Sequence, residues 1–166
     1  IWHGLKIPYS EFFAWLEGKA ERPVSAALAP FRPVMLAHAI EDAEFAKLDP
    51  KDYAAEWKWD GIRVQAVSEK GVRRLYSRTG DDISGAFPDI LDVLNFEGSL
   101  DGELLVGREE AGAIAVAPFG DLQQRLNRKV VSGKLVESHP AFIRAYDLLQ
   151  AGPDDSRSLP FADRRK

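Results

Sequence analysis

The stretch that most narrows the fold lies at 62–77. Ile62, Val64 and Ala66 alternate with Arg63, Gln65 and Val67; Glu69-Lys70-Gly71 interrupts, and 72–77 resumes an extended pattern. A period of two sends successive side chains to opposite faces of a strand. A short break ending in glycine folds the next strand back alongside the first. The expectation is a β-hairpin, and with it an α+β fold: a mainly antiparallel sheet with helices packed on it. Three other stretches fit that frame. Residues 99–106 read as a strand broken early by Gly102, 141–149 as a buried strand, and 87–94 as a short helix with Pro88 in its first turn. Leu122, Leu126 and Val130 stand four apart and predict a helix beginning near Asp121. Residues 150–158 read as a polar loop, and 159–166 as the start of a further element.

The first thirty residues are organised differently. Ser10 is the expected N-cap of a helix with an aromatic face of Phe12, Phe13, Trp15 and Leu16, stopped at Gly18. Pro23, Pro30 and Pro33 mark 21–33 as a linker. Residues 1–30 are therefore expected to be the tail of an upstream domain, with a new domain from 31 to 166. The opening Ile1-Trp2-His3-Gly4, without a start methionine, suggests a segment of something longer.

Composition excludes several classes. There is no cysteine, so disulfides and thiolate zinc sites are ruled out. No apolar run is long enough to cross a bilayer, so no membrane partner is expected and a cytoplasmic setting is. His3, His38 and His139 are far apart and read as surface or packing residues. The formal charge of −4 argues weakly against nucleic acid. Local charge argues the other way. Residues 51–78 hold seven basic side chains against four acidic ones, and 121–134 hold four against one. These two stretches could form a positive face, or simply solvated strands and a helix.

Chemistry points to Lys58. It stands in Glu56-Trp57-Lys58-Trp59-Asp60-Gly61-Ile62-Arg63. At neutral pH about one lysine amine in a thousand is uncharged, and supplying that form costs roughly 4 kcal/mol. Burial and neighbouring cations reduce the cost. In a strand, Trp57 and Trp59 would face away from Lys58, while Glu56 and Asp60 would share its face. The bland alternative is a solvated strand end or an ion pair.

These residues resemble a known signature. Glu56-x-Lys58-x-Asp60-Gly61-x-Arg63 is similar to the nucleotidyltransferase motif of ATP-dependent DNA ligases. Tyr76-Ser77-Arg78-Thr79-Gly80, Leu100-Asp101-Gly102-Glu103-Leu104 and Ala145-Tyr146-Asp147-Leu148-Leu149 resemble the family's next three motifs, in order. Phe31-Arg32-Pro33-Val34-Met35-Leu36-Ala37 is similar to the beginning of the adenylation domain. Lys-x-Asp-Gly alone is a weak signal; five matches in the right order are a strong one. The likeness implies an ATP-grasp-like nucleotidyltransferase fold, incomplete on its C-terminal side.

It also implies roles. Lys58 would attack the α-phosphate of ATP and form a lysine–AMP intermediate. The AMP would pass to the 5′-phosphate of nicked double-stranded DNA, and the 3′-hydroxyl would displace it. Glu56 would read the adenine amino group, or else form a rim ion pair. Arg63 and Arg78 would hold ribose and phosphate oxygens, or else pair across strands with an acid. Glu103 would meet the ribose hydroxyl and a metal-bound water, with Mg²⁺ as the expected ion. Tyr146 would stack on adenine. Asp60 and Asp101 would support the backbone, and Gly61 would allow a tight turn. The family carries two further lysine motifs and an OB-fold, so the remainder of the same protein is the expected partner, and this segment alone is not expected to seal nicks. An RNA ligase or capping-type nucleotidyltransferase, an NAD-using ligase and a non-catalytic nucleotide- or DNA-binding module are the competing readings.

Overall fold

The structure, a computed structural model, describes residues 5, 7–23, 27–126 and 128–166. His3 and the opening residues therefore lie outside the described residues. Among the described residues six strands form the frame: β1 (Ile62–Glu69), β2 (Val72–Ser77), β3 (Gly98–Glu110), β4 (Ala113–Val116), β5 (Ala141–Ala151) and β6 (Asp154–Asp155). They pair in the order β2-β1-β3-β5-β6, with β4 attached to β3, and every pairing is antiparallel. The short helices are α1 (Ser10–Leu16), α2 (Asp42–Phe45), α3 (Pro88–Val93), α4 (Phe119–Gln123), α5 (Gly133–Ser138) and α6 (Phe161–Arg164).

The expected hairpin is β1–β2. Its turn residues Lys70 and Gly71 both take positive φ, 49° and 77°, which suits the right-handed twist of the two strands. A second hairpin, β3–β4, turns at Ala111 and Gly112 in the same way. The sequence hid it because alanine is an unusual residue at positive φ. Strand β3 runs unbroken through Gly102. A Cβ there would come within 2.7 Å of the Arg144 carbonyl oxygen; glycine is present for the close approach of β5, not to end the strand.

The two faces of the central strands have different fates. On one face Val64, Ala66, Leu75, Leu104 and Val106 bury against Ala86, Phe87, Ile90, Leu94 and Leu122, which come from α3, the turn before it and α4. Each of the larger side chains among them contributes about 1.5–3 kcal/mol when fully buried, the alanines less. On the other face an extended segment crosses β1 and β2. It is pinned by side chains: Arg32 N–H donates to Gln65 Oε1 (2.7 Å), Gln65 Nε2 donates to Arg32 O (2.6 Å), and the Tyr76 hydroxyl donates to Ala29 O (2.7 Å). Glu69 accepts from Ala29 N–H and pairs with Arg32.

Several expectations are corrected. The helix expected from Asp121 starts earlier, after Pro118, and ends by Gln123; Leu122 is buried, but Val130 lies beyond it and is 81% exposed. Ser10 is the first helical residue of α1 rather than its cap, and no residue of α1 is buried. Its aromatic side chains instead meet one another, Phe12 lying 5.7 Å from Phe13 and 6.0 Å from Trp15 between ring centroids. Strand β5 buries only Leu149 and Gln150, because much of its length lies at the open side of the sheet. Arg125, counted above as a surface cation, is fully buried. It donates to the Ala86 and His139 carbonyls, pairs with Asp89, and lies 4.6 Å from the centroid of the Phe87 ring.

Burial alone would raise the Asp89 carboxyl, but the Arg125 guanidinium and the Ala141 amide outweigh it and hold it below the usual carboxylate range. A depressed carboxyl contributes stability above its ordinary range, and that contribution is lost as pH falls. Asp89→Asn leaves a buried guanidinium without its counter-charge and is expected to cost about 3 kcal/mol at pH 7. Denaturant unfolding at pH 7 and pH 3 checks this: the gap between wild type and variant should shrink in acid.

Candidate active site

The face opposite the core holds a cleft of about 610 Å³ between β1, β3, β5 and the irregular segment before β1. Its lining includes Lys58, Glu56, Arg63, Glu103 and Tyr146, five of the six residues singled out by sequence. Strand register explains most of this. Arg63 is the Cα partner of Glu103, and Gln65 that of Asp101, so these four share the face. Tyr146 arrives by a different route. Asp101 pairs with Asp147 and Gly102 with Ala145, which leaves Tyr146 as the extra residue of a β-bulge. A bulge re-aims side chains, and here both Tyr146 and Asp147 reach the cleft.

Lys58 does not sit in a strand. Residues 53–59 have no strand pairing, so no period-two alternation is imposed. Contrary to the expectation of opposite faces, Trp57, Lys58 and Trp59 all line the cleft with Glu56, whereas Asp60 does not. Gly61 is required for packing rather than for a positive φ: a Cβ would meet the Leu104 carbonyl oxygen at 2.3 Å and Leu105 Cδ2 at 2.7 Å. That contact seats the end of the Lys58 segment on β3.

The charges are ordered around Asp101. This carboxylate is 1% exposed and accepts from Arg63 Nε (3.1 and 3.2 Å) and Nη2 (2.6 Å). Arg63 is thus paired across strands with an acid, leaving Nη1 directed elsewhere. The Asp101 hydrogen bonds raise the Arg63 guanidinium above its ordinary value. Burial, then the Asp101 carboxylate, push the Tyr146 hydroxyl well above the usual phenol range, so the ring stays neutral. Glu103 is raised as well. Burial is the chief cause, opposed by the Gly61 amide and by the Lys58 and Arg63 cations. Glu56 makes a rim ion pair with Arg165 at 2.8 Å, and Asp147 pairs with Arg164.

Arg78 is the exception. It lies exposed in the turn after β2 and is not among the cleft-lining residues. Its neighbours Ser77 and Thr79 face a separate pocket of about 630 Å³ with Ile62, Phe87 and Leu126. Sequence reasoning did not assign Met35, Leu36, Trp57, Asp147 or Phe161, which also line the cleft. Of these, Met35 and Leu36 belong to the motif-like run at 31–37, which carried a signal without a role. No group of three or more His, Asp or Glu side chains among the described residues could by itself hold a metal ion.

An apolar-walled cleft of this volume, lined among the described residues by the Lys58 amine, the Arg63 guanidinium and the Glu103 carboxylate that has no ion pair, has the size and polarity of a small-molecule site. Comparison with known proteins gives the family. Residues 34–166 match the family model described as ATP dependent DNA ligase domain. The chain belongs to that family. It is 37% identical over 136 residues to a probable DNA ligase of Koribacter versatilis, covering 79% of this chain and 23% of that protein. A DNA ligase of Archaeoglobus fulgidus is 31% identical over 137 residues, covering 80% and 24%. A solved structure described as mycobacterial DNA ligase D complexed with ATP and MES is 28% identical and covers 66% of this chain and 33% of that one, with a TM-score of 0.49. The chain spans about a quarter of the length of the curated relatives it matches.

The raised Glu103 carboxyl has a pH consequence. The folded state disfavours its ionised form, so stability is greatest below the ordinary glutamate range and declines as pH rises through it. Glu103→Gln should abolish this decline and leave the unliganded fold at least as stable as wild type at pH 7. Thermal melts of both proteins from pH 4 to pH 7 would check it; a variant clearly less stable at pH 7 contradicts the expectation. Gly61→Ala, by contrast, must displace the Lys58 segment from β3, and is expected to cost stability and to remove the Lys58–Glu103 interaction together.

Proposed function

We propose that this chain carries the nucleophile side of the adenylation domain of an ATP-dependent DNA ligase, with residues 31–166 forming the first part of that domain and 1–30 the tail of an upstream one. The observation that supports this most is the convergence of Lys58, Glu103 and Tyr146 on one cleft, from an unpaired segment, a central strand and a bulge. In this reading the Lys58 amine forms a P–N bond to the α-phosphorus of ATP. The bond to the bridging oxygen breaks, its electron pair leaves with pyrophosphate, and the amine gives up its proton. AMP then moves to the 5′-phosphate of a nick, and the 3′-hydroxyl displaces it to close the strand. Covalent capture divides one difficult condensation into easier steps.

The residues divide the work. The neutral ring of Tyr146 stacks on the adenine. Glu56 accepts from the adenine amino group, with Arg165 holding its carboxylate in place. Arg63, fixed by Asp101, offers its remaining nitrogen to ribose or phosphate oxygen. Arg78, outside the cleft, would need the turn after β2 to move before it touched the nucleotide. Glu103 is a half-buried carboxylate with a raised pKa and no ion pair among the described residues, which a cation would stabilise. Mg²⁺ fits such a site when held mainly by substrate phosphates and one carboxylate, and it would neutralise charge on the departing pyrophosphate. The remainder of the same protein would supply the other wall of the site and the DNA grip.

Labelling with α-phosphate-tagged ATP and Mg²⁺ tests the proposal. The full-length protein should acquire acid-labile AMP on Lys58, and Lys58→Ala should lower labelling by about a thousandfold or more. Label retained in that variant would overturn it. The 166-residue chain alone is expected to label poorly and to seal no nicks.

A further inference from the structure

Arg144 is an exposed cation held still. Its guanidinium lies 4.6 Å from the centroid of the Trp59 ring and 5.9 Å from that of Phe142. Phe142 in turn lies over Gly107, where a Cβ would approach the ring to 3.3 Å. The cation therefore lies against two aromatic rings, one of them packed on Gly107. Arg63, Arg164 and Arg125 each have a carboxylate: Asp101, Asp147 and Asp89 respectively. The Arg144 guanidinium has none within ion-pair distance among the described residues. Its Cα partner across the sheet is Glu103, whose carboxylate accepts from the Gly61 amide and makes no ion pair among the described residues. Arg144 does not line the cleft, whereas Trp59, the residue after Lys58, does. The guanidinium thus sits beside a ring of the cleft wall, at the rim, without lining the cleft itself.

We propose that Arg144 is a phosphate-binding residue of the cleft rim. A planar guanidinium presents donors in a fork that matches phosphate oxygens, and a stacked one loses little freedom on binding. Trp59 and Phe142 lie beside the guanidinium, and Arg144 remains exposed. The phosphate could come from either of two sources: the backbone of a nucleic-acid strand lying across the rim, or the tail of a nucleotide in the cleft. Its place outside the cleft lining favours the strand. This inference rests on the nucleotidyltransferase reading above.

The test uses the full-length protein and the variants Arg144→Ala, Arg144→Lys and Phe142→Leu, with two readouts. Binding of a nicked duplex is measured against salt, and lysine adenylation against ATP concentration. Arg144→Ala is expected to weaken duplex binding about tenfold and to reduce the slope of log affinity against log salt by about one. Arg144→Lys should keep the slope but not the full affinity, because a point charge replaces the fork. Phe142→Leu should behave like the lysine variant, since it frees the guanidinium without removing its charge. A rise in the ATP concentration needed for half-maximal adenylation, with duplex binding unchanged, assigns the phosphate to the nucleotide tail. If Arg144→Ala alters neither readout while its melting temperature matches wild type, the proposal is overturned. Failure of the wild-type protein to label at Lys58 is a distinct result: it overturns the adenylation reading, and the duplex arm still decides whether Arg144 holds phosphate.

Discussion

Strand β3 is hydrogen-bonded on both sides, and the rest of the molecule follows from that constraint. With β1 on one side and β5 on the other, its even-numbered residues, Leu104 and Val106 among them, enter the hydrophobic core, while Asp101 and Glu103 enter the cleft. One backbone register therefore fixes both the packing and the chemistry. A slip of one residue would exchange the two faces, burying carboxylates in the core and placing leucine under the Lys58 segment. The Arg63–Asp101 pair adds to this specification. A buried carboxylate left without its guanidinium is costly, so the β1–β3 register that joins them is favoured over its neighbours.

The cleft is built from contrasts in how its charges are held. Asp101, Glu56 and Asp147 are each matched to an arginine, and act as supports. Among the described residues, Glu103 and Lys58 are not locked into such pairs. They influence one another across the cleft without closing into a salt bridge, so both remain open to an incoming ligand. Tyr146, neutral and half-buried, supplies the flat apolar surface beside them. Pre-organisation of this kind lowers the cost of binding, because the supporting groups are already oriented and Asp101 is already desolvated.

The segment before β1 behaves differently. It reaches the sheet through side chains of β1 and β2 rather than through an edge ladder: the Gln65 amide stands in for a neighbouring strand by accepting from and donating to Arg32. Further along, Trp57, 85% exposed, and Lys58 reach the cleft from irregular backbone that is held by the Glu56–Arg165 pair, the Trp59–Arg144 contact and the close packing of Gly61. The nucleophile candidate is thus carried by the least constrained part of the site, while its partners stand on the most rigid strands. Loops on rigid scaffolds are where function commonly resides.

Local pattern was sufficient for the hairpin at 62–77, for the helix at Pro88 and for the set of residues around Lys58, because alternation, proline placement and motif spacing are properties of neighbouring residues. It could not show that Arg125 is a buried tie, since an arginine is surface by default until three distant carbonyls and carboxylates are seen to surround it. Nor could it place Arg78 outside the cleft, or Trp57 and Trp59 beside Lys58, because both depend on where strand pairing begins and ends. The sequence by itself determined which chemical groups the protein brings to its site. Only the tertiary structure decided which of them meet, because register, a bulge at Tyr146 and the close contact at Gly61 are long-range hydrogen-bonding and packing outcomes that no local window contains.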